Sequence, residues 1–355
     1  MPTLGWVLRL QSRGGAAVDV KADGSPLPQA NRDGGVDQEW AGDDQDWWDW
    51  YVTLAENDDA PGALVAGPGL PDVEPAGDEQ LRLELEAPYR LDASQREAFR
   101  RDAFIKLTNV LSPAVVRRLA DRLDGLLRAE HGDDVAGRFI ALEQMWLHDE
   151  VMRLVAFSPR LGGLAADLLD EPAVRLYHDN ALSKEPGCGR TPWHHDAEHF
   201  PLATLQAVTA WIPVTAIPAH MGPLALARGA HLRDLVAGLS FDKVGTTYDS
   251  AVARRFVERQ VVVDASPFAV GEVSFHSALC FHTAGPNRST QPRRALATTY
   301  YADGARVVDA PTLVSGRWRD FLPGVEPGGL AVSPLNPIVA GREGERVVQS
   351  ARVGP

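Results

Sequence analysis

The amino-acid sequence predicts a mainly β protein with flanking helices. Apolar segments with helical spacing begin at Asp92, and strand-like segments follow from about residue 174. Turns rich in glycine and proline, such as Glu185-Pro186-Gly187 and Gly285-Pro286-Asn287, separate these strand-like segments. Helices followed by many strands at fairly regular spacing indicate a sheet sandwich or a small barrel, braced by helices on one side.

Three helix starts carry recognisable capping residues. Asp92 with Gln95 forms a capping box, which predicts a helix running through Phe99 and Phe104. Two Ser-Pro pairs, Ser112-Pro113 and Ser158-Pro159, place a hydroxyl at the N-cap and proline at the first helical position. Leucines and valines recur on one face after each pair, so these helices are expected to pack against a sheet.

Five later segments have the composition and alternation of strands. They are Val174–Lys184, Leu205–Val214, Arg259–Val263, Glu272–Phe281 and Ala295–Tyr301.

Residues 1–90 differ in character and are expected to form an acidic, Trp-rich N-terminal extension. Glycine, aspartate and proline are dense there, and the segment holds Trp47-Trp48-Asp49-Trp50-Tyr51. These aromatics either act as a lid or a partner surface, or anchor a loop-rich extension onto the main body. Period-two alternation predicts short strands within the extension, at Trp6–Leu10, Tyr51–Leu54 and Leu81–Leu85.

Composition excludes several function classes. The 355 residues carry a formal net charge of −13, so a nucleic-acid partner is not expected. The only cysteines, Cys188 and Cys280, are expected to be reduced, which indicates a cytoplasmic protein. Neither a signal peptide nor a membrane-spanning run is expected, so no membrane partner is expected, and the oligomeric state stays open.

One group of residues has the pattern of a metal site. His194 and Asp196 are two apart, so on an extended chain both side chains project to the same face. His282, at the end of a separate predicted strand, completes a set of two histidines and one carboxylate. This set is typical of non-haem Fe(II) oxygenases. The alternative is a collection of structural histidines.

Arg293 follows His282 after eleven residues. Its planar, permanently charged guanidinium suits the far carboxylate of 2-oxoglutarate, whose other end chelates iron.

The segment from about Leu91 to Ala302 resembles the phytanoyl-CoA dioxygenase family of Fe(II)- and 2-oxoglutarate-dependent oxygenases. The matching stretches are Leu182–Gly187, Pro192–Asp196, Ala210–Val214, Met221–Leu224 with Arg228–His231, and His282–Asn287 through Arg293. The resemblance implies a double-stranded β-helix, a jelly-roll core related to the cupins. It also implies that His194, Asp196 and His282 bind iron, that Arg293 anchors 2-oxoglutarate, and that Lys184 and Trp211 lie near the cosubstrate.

The sequence departs from the family pattern at two positions. His195 stands where a glutamine is frequent between the ligands, and Ala284 replaces a serine that helps to hold 2-oxoglutarate. His276 is not expected to be a ligand, because the Gly-Pro-Asn after His282 fixes the alignment. Candidate substrate contacts are His195, His199, Trp47 and Trp50, the tryptophans by stacking on a sugar ring.

The resulting expectation is an Fe(II)- and 2-oxoglutarate-dependent oxygenase that uses dioxygen to oxidise a C–H bond. Its expected substrate is a small molecule, a bacterial secondary-metabolite intermediate. Residues 91–310 are expected to form the oxygenase core and residues 311–355 a C-terminal extension. Two alternatives remain: a non-oxidative cupin-type hydrolase or isomerase using Zn(II) or Mn(II), and a catalytically inactive binding protein.

Overall fold

The computed structural model describes residues 40, 42–57, 62–239 and 245–341 of the chain. The described helices are α1 Asp44–Val52, α2 Asp78–Glu86, α3 Ala93–Asp102, α4 Pro113–His131, α5 Glu150–Ala156, α6 Pro159–Leu169, α7 Leu232–Val236, α8 Thr247–Glu258 and α9 Trp318–Phe321. The described strands are β1 Phe104–Leu107, β2 Phe139–Glu143, β3 Ala173–Lys184, β4 Thr191–His194, β5 Ala207–Pro213, β6 Leu224–Ala227, β7 Val263–Asp264, β8 Val273–Ser277, β9 His282–Ala284, β10 Arg293–Ala302 and β11 Ile338–Gly341.

The strands form two antiparallel sheets. The large sheet has seven strands in the order β1-β8-β5-β10-β3-β11, and β2 pairs with the C-terminal half of β3. The small sheet has four strands in the order β4-β9-β6-β7. Apolar side chains from the facing surfaces, among them Trp211 and Ala297 of the large sheet and Leu226 of the small one, pack into a shared cluster. The predicted mainly β fold with flanking helices is confirmed, and the sheets described here do not close into a barrel.

The helices cover the outer face of the large sheet. Leucines and valines of α4 and α6 form one core cluster with Leu176, Ile212 and Leu296, which point outward from that sheet. The predicted caps are present: the Ser158 hydroxyl accepts a hydrogen bond from the Leu161 N–H, and Asp92 forms the full capping box with Gln95. Among the described helices, none is both long and apolar enough to cross a membrane.

Several local predictions were wrong for identifiable reasons. Leu81–Leu85 lies in α2, where Leu81 and Leu85 are buried one turn apart while Leu83 is 53% exposed. The alternating apolar residues of this segment therefore led to a strand being predicted where a helix forms. Tyr51–Leu54 forms the end of α1 and the following turn, and Arg259–Val263 is mostly a turn after α8. The helix predicted through Phe104 ends at Asp102, because Ala103 adopts a left-handed conformation. Trp6–Leu10 lies outside the described residues.

The two predicted extensions pack closely against the core. Leu81 and Leu85 of α2 belong to the main core cluster, and β11 pairs with β3 at the edge of the large sheet. The boundaries at residues 90 and 310 stay predictions.

Gly222 holds the loop before β6 against the loop after β9. Its φ is +68°, and a Cβ at this position would lie 2.2 Å from the carbonyl oxygen of Gly285. The two loops approach so closely that glycine is required at Gly222 both for conformation and for space.

Gly222→Ala is expected to destabilise the fold far more than Gly304→Ala. Both alanines would occupy a left-handed conformation, which costs about 1 kcal/mol or slightly more. Gly304 has φ +87° but no heavy atom within 4 Å of its Cβ position, so it supplies the matched control. Chemical denaturation should show an additional loss of about 2 kcal/mol for Gly222→Ala, from the forced displacement of backbone. Equal losses for the two variants would contradict this account.

Candidate active site

A cavity of about 150 Å³ lies between the two sheets. Its walls come from β2, β3, β5, β8 and β10 of the large sheet and from β4, β6 and β9 of the small one. Helix α1 and residues 314–317, with Phe321 of α9, complete the wall. The cavity is therefore lined by parts of the chain that lie far apart in sequence.

His194, Asp196 and His282 meet in this cavity. His194 is the last residue of β4 and pairs directly with His282, the first residue of β9. His195 between the two motif residues is extended, so Asp196 projects to the same side as His194. One candidate ligand atom from each of the three residues lies within 4.8 Å of the others. Two imidazoles and a carboxylate at this separation fit a single metal ion with open coordination positions.

The backbone fixes the orientation of both imidazoles. The Nδ1 of His194 lies 2.9 Å from the carbonyl oxygen of Pro192, and the Nδ1 of His282 lies 2.9 Å from that of Cys280. Since a carbonyl accepts, each Nδ1 carries the proton and each Nε2 keeps its lone pair for a metal. Burial lowers the pKa of His282 to about 4 and holds that of His194 well below its usual value. Both rings are thus neutral at pH 7, as metal ligation requires.

Asp196 is held by groups of the large sheet. The Thr209 hydroxyl donates to its Oδ2 at 2.8 Å, and the His276 Nε2 lies 3.5 Å from the same oxygen. Burial alone would raise the pKa of Asp196, but the imidazoles of His282 and His276 keep it well below its usual range. The carboxylate is therefore ionised. His276 contacts this carboxylate and stands outside the set of three candidate ligands.

Arg293 lies in the same cavity without a carboxylate partner among the described residues. Its side chain is 2% exposed, its Nε has no hydrogen-bond partner, and its guanidinium lies 5.4 Å from the ring centre of Trp211. Burial lowers the pKa of Arg293 to about 10, so the group still carries its charge at pH 7. A buried, uncompensated cation is costly, and an anionic ligand would relieve that cost. These residues therefore fit a dicarboxylate cosubstrate.

Lys184 does not reach the cavity. Its fully buried ammonium donates to the carbonyl oxygens of Gly189, Ala284 and Gly285 at 2.7–3.2 Å, which uses all three of its donors. It lies directly opposite Arg293 in the pairing of β3 with β10. The structure thus places Lys184 as a brace for the loop after β9, and its position near the cosubstrate stays a prediction.

A hydroxyl stands close to the position where Ala284 lacks one. Thr191 pairs directly with Ala284, accepts a hydrogen bond from its N–H at 2.9 Å, and lines the cavity. The cavity wall therefore retains a hydroxyl, carried by the neighbouring strand.

Two of the four predicted substrate contacts line the cavity. Trp47 lies on the inner side of α1, and its ring packs edge-on against His199 at 5.5 Å. Burial lowers the pKa of His199 to about 4, and its Nε2 has no partner. His195 instead points away from the cavity, onto Phe281 and Glu198, because the extended chain alternates. Trp50 packs within the aromatic cluster of the extension.

Sequence reasoning missed several residues of the site. Thr209 could have been found, since it stands two residues before Trp211 and shares its face of β5. No motif marks several other missed wall residues, among them Asp44, Glu143, His178, Asn180 and Arg317.

A family model described as "Phytanoyl-CoA dioxygenase (PhyH)" matches residues 99–295, more than half of the chain. The chain belongs to the phytanoyl-CoA dioxygenase family. The match contains the three candidate ligands and Arg293 but excludes α1, α2 and the segment after β10.

Curated proteins similar to this phytanoyl-CoA dioxygenase family member are hydroxylases. L-proline trans-4-hydroxylase of Streptomyces griseoviridis is 28% identical over 267 residues, covering 68% of this chain and 97% of that enzyme. The 1-deoxypentalenic acid 11-beta-hydroxylase of Streptomyces exfoliatus is 28% identical over 211 residues, covering 53% and 72%.

Solved structures share the fold. The non-heme alpha-ketoglutarate-dependent carbocyclase SnoK from nogalamycin biosynthesis superposes with a TM-score of 0.59 at 23% identity, covering 71% of this chain and 99% of SnoK. The epimerase SnoN from the same biosynthesis gives 0.57 at 25% identity, covering 69% and 97%.

This member of the phytanoyl-CoA dioxygenase family is an Fe(II)- and 2-oxoglutarate-dependent oxygenase that uses dioxygen. The jelly-roll core expected from the sequence agrees with its structural neighbours. The oxygenase prediction is confirmed, and the two alternatives, a non-oxidative cupin and an inactive binding protein, are not supported.

Arg293→Met and Arg294→Met are expected to differ in their effect on the free energy of unfolding of the cofactor-free protein. Arg294 forms ion pairs with Asp124 and Glu185, whereas Arg293 is buried without such a partner. Arg294→Met should lower the free energy of unfolding by about 2 kcal/mol, since hydrogen bonds to charged groups are lost. Arg293→Met should leave it unchanged or raise it by about 1 kcal/mol, since a costly buried charge is removed.

Denaturant unfolding of both variants without cosubstrate measures this difference. A larger loss for Arg293→Met than for Arg294→Met would mean that Arg293 has a structural role.

Proposed function

We propose that His194, Asp196 and His282 bind the iron, that Arg293 anchors 2-oxoglutarate, and that the enzyme oxidises a C–H bond of a small secondary-metabolite intermediate. One observation carries this proposal. Two neutral imidazoles and an ionised carboxylate converge within 4.8 Å in a cavity that also holds a buried arginine lacking a carboxylate partner.

Neighbouring groups orient the three proposed ligands for metal binding. The Pro192 and Cys280 carbonyls direct both Nε2 lone pairs into the cavity, and Thr209 holds one oxygen of Asp196. When bound, Fe(II) with 2-oxoglutarate activates dioxygen for removal of hydrogen from a substrate C–H bond. The protein's part is to orient the ligands and to keep bulk water away from the reacting groups.

The cosubstrate end of the cavity lies around Arg293. Its guanidinium can bind the far carboxylate of 2-oxoglutarate in two parallel hydrogen bonds, and the ring of Trp211 limits its movement. The Thr191 hydroxyl, beside Ala284, is the proposed replacement for the serine of the family pattern.

The substrate end is proposed to lie under α1 and residues 314–321, with Trp47 and His199 as contacts. Helix α1 acts as a cover over the cavity, which gives the N-terminal extension a role in substrate binding. The relatives that hydroxylate L-proline and 1-deoxypentalenic acid support hydroxylation of a small molecule as the reaction.

Thr209→Val is expected to weaken metal binding roughly 10-fold, as loss of a group that orients a ligand commonly does. Thr298→Val is the matched control, because Thr298 is equally buried in β10 but its hydroxyl has no partner. Isothermal titration with Co(II) as an air-stable substitute for Fe(II) measures both affinities. Equal Co(II) affinities for the two variants would show that the Thr209 hydroxyl does not contribute to metal binding.

The proposed ligand roles are tested by the visible charge-transfer absorption of an Fe(II)–2-oxoglutarate chelate, recorded without dioxygen. The wild-type protein should develop this absorption, and His282→Ala should lose it. Arg293→Met should require at least about 10-fold more 2-oxoglutarate, since charged hydrogen bonds are lost. Arg294→Met, which keeps Arg293, is the control.

Succinate formation in air then tests oxidation itself. A protein that forms no chelate, releases no succinate with any substrate and retains zinc would contradict the proposal.

A further inference from the structure

Two acidic side chains line the cavity without a role in the proposed chemistry. Asp44 lies in the first turn of α1, and Glu143 is the last residue of β2. Both face the same cavity as the candidate iron ligands. We refer to Asp44 and Glu143 together as the acidic wall.

The register of the large sheet separates the acidic wall from the cosubstrate anchor. Glu143 is directly opposite Asn180 on β3, and Asn180 is opposite Ala297 on β10. Directly opposed residues project to the same face, so Glu143 and Asn180 both enter the cavity. Arg293 lies four residues before Ala297, roughly 13 Å along the strand. The acidic wall and Arg293 therefore serve different parts of the cavity.

Acceptors at the acidic wall lack donors. The Oε1 of Glu143 accepts from the Trp48 indole N–H at 3.0 Å, but its Oε2 has no aligned donor. The Oδ1 of Asn180 also has none, although this residue is 94% buried, given its 6% exposure. Among the described residues, no side-chain hydrogen bond to the Asp44 carboxylate is formed. Buried acceptors are normally satisfied, so the unpartnered Oδ1 of Asn180, in the same cavity as the half-buried Asp44 carboxylate, indicates a missing donor.

The charges around the acidic wall do not balance. Arg317 pairs with Asp320 at 2.6 Å, and both groups also act on Asp44 with opposite effects on its pKa. The Nδ1 of His178 lies 2.8 Å from Glu143 Oε2. Burial opposes protonation of His178, but Glu143 raises its pKa above the usual value, so His178 can neutralise Glu143. Burial and the nearby Glu143 carboxylate raise the pKa of Asp44 to about 6 despite the opposing effects of Arg317 and His178, so the charge of Asp44 is only partly compensated.

We infer that the acidic wall binds a protonated amine of the substrate, between Asp44 and Glu143 and beside Asn180. This inference rests on the proposed function, because it specifies the class of molecule that the enzyme oxidises. A primary ammonium has three N–H donors, which match the Asp44 carboxylate, Glu143 Oε2 and Asn180 Oδ1. Trp48 and Phe139, with ring centres 5.0 Å apart, line the same part of the cavity and add aromatic faces that attract cations.

The acidic wall also selects against anionic substrates. A phosphate or carboxylate placed here would face Asp44 and Glu143 at short range, and like charges at such a site are strongly unfavourable. The substrate's amine is held at this wall, while Arg293 at the other end takes the negative charge of 2-oxoglutarate. The two charged ends of the cavity thus keep substrate and cosubstrate from exchanging places.

The test compares three probes of equal size: cyclohexylammonium, cyclohexanol and cyclohexanecarboxylate. Each is titrated into the full-length protein with 2-oxoglutarate present, and binding is followed by tryptophan fluorescence, since Trp47 and Trp48 line the cavity. The ammonium should bind at least about 10-fold more tightly than the alcohol, a difference of about 1.4 kcal/mol. The carboxylate should bind most weakly.

Two isosteric variants locate the binding site. Asp44→Asn and Glu143→Gln should each weaken ammonium binding roughly 5- to 10-fold and leave cyclohexanol binding unchanged, since charge alone is removed. Asp46→Asn is the control, because Asp46 lies on the same helix but is not part of the cavity wall. Thermal melting checks that each variant is folded. If Glu143→Gln does not fold, the result for Asp44→Asn decides the test, because Asp44 lies at a half-buried helix position where the substitution is better tolerated.

Three results would overturn the inference: equal binding of ammonium and alcohol, no binding of the ammonium, or undiminished ammonium binding in Asp44→Asn. Affinity for 2-oxoglutarate, measured in the same samples, separates this inference from the proposed function. A wild-type protein that does not bind 2-oxoglutarate would contradict the proposed function. A protein that binds 2-oxoglutarate but binds the ammonium no better than the alcohol would contradict only the inference.

Discussion

The direct pairing of His194 with His282 across β4 and β9 is the constraint on which the rest of the site depends. Side chains alternate between the faces of a strand, so a shift of one residue in either strand would turn an imidazole out of the cavity. The short strands β4 and β9 are held in place by the tight contact between Gly222 and Gly285 and by the Lys184 ammonium, which binds three carbonyls of the adjoining loops. Residues outside the cavity thus fix the positions of those inside it.

Electrostatics divides the cavity into three parts. The middle holds neutral imidazoles around one ionised carboxylate, one end holds the cation of Arg293, and the other holds the acidic wall. Arg293 is a buried charge without a carboxylate partner among the described residues, and the charges of the acidic wall are only partly compensated, which lowers the stability of the ligand-free protein. If cosubstrate and substrate bind as proposed, they supply the opposite charges, and the groups that destabilise the empty cavity also select its ligands.

The sequence was sufficient to predict the features that depend on local spacing. His194, Asp196, His282 and Arg293 follow from motifs and strand alternation, Trp211 follows from the family resemblance, and the Ser-Pro pairs mark two helix starts correctly. The acidic wall was not predictable from the sequence. It depends on the packing of α1 against β2, shown by the hydrogen bond from Trp48 to Glu143, and these two residues are 95 positions apart with no motif that links them. Lys184 was assigned to the cosubstrate by resemblance, but only the folded loops show that its three donors are already used.

The cavity wall is encoded in two kinds of sequence. The proposed ligands and the cosubstrate anchor fall within residues 99–295, whereas Asp44, Trp47, Trp48 and the segment from Val314 to Phe321 fall outside them. The proposed recognition residues are thus drawn from both kinds of sequence, since Glu143 and Asn180 lie within the family match and Asp44 outside it. A change confined to α1 or to the segment from Val314 to Phe321 would alter the substrate end of the cavity while leaving the sequence of the proposed iron ligands unchanged.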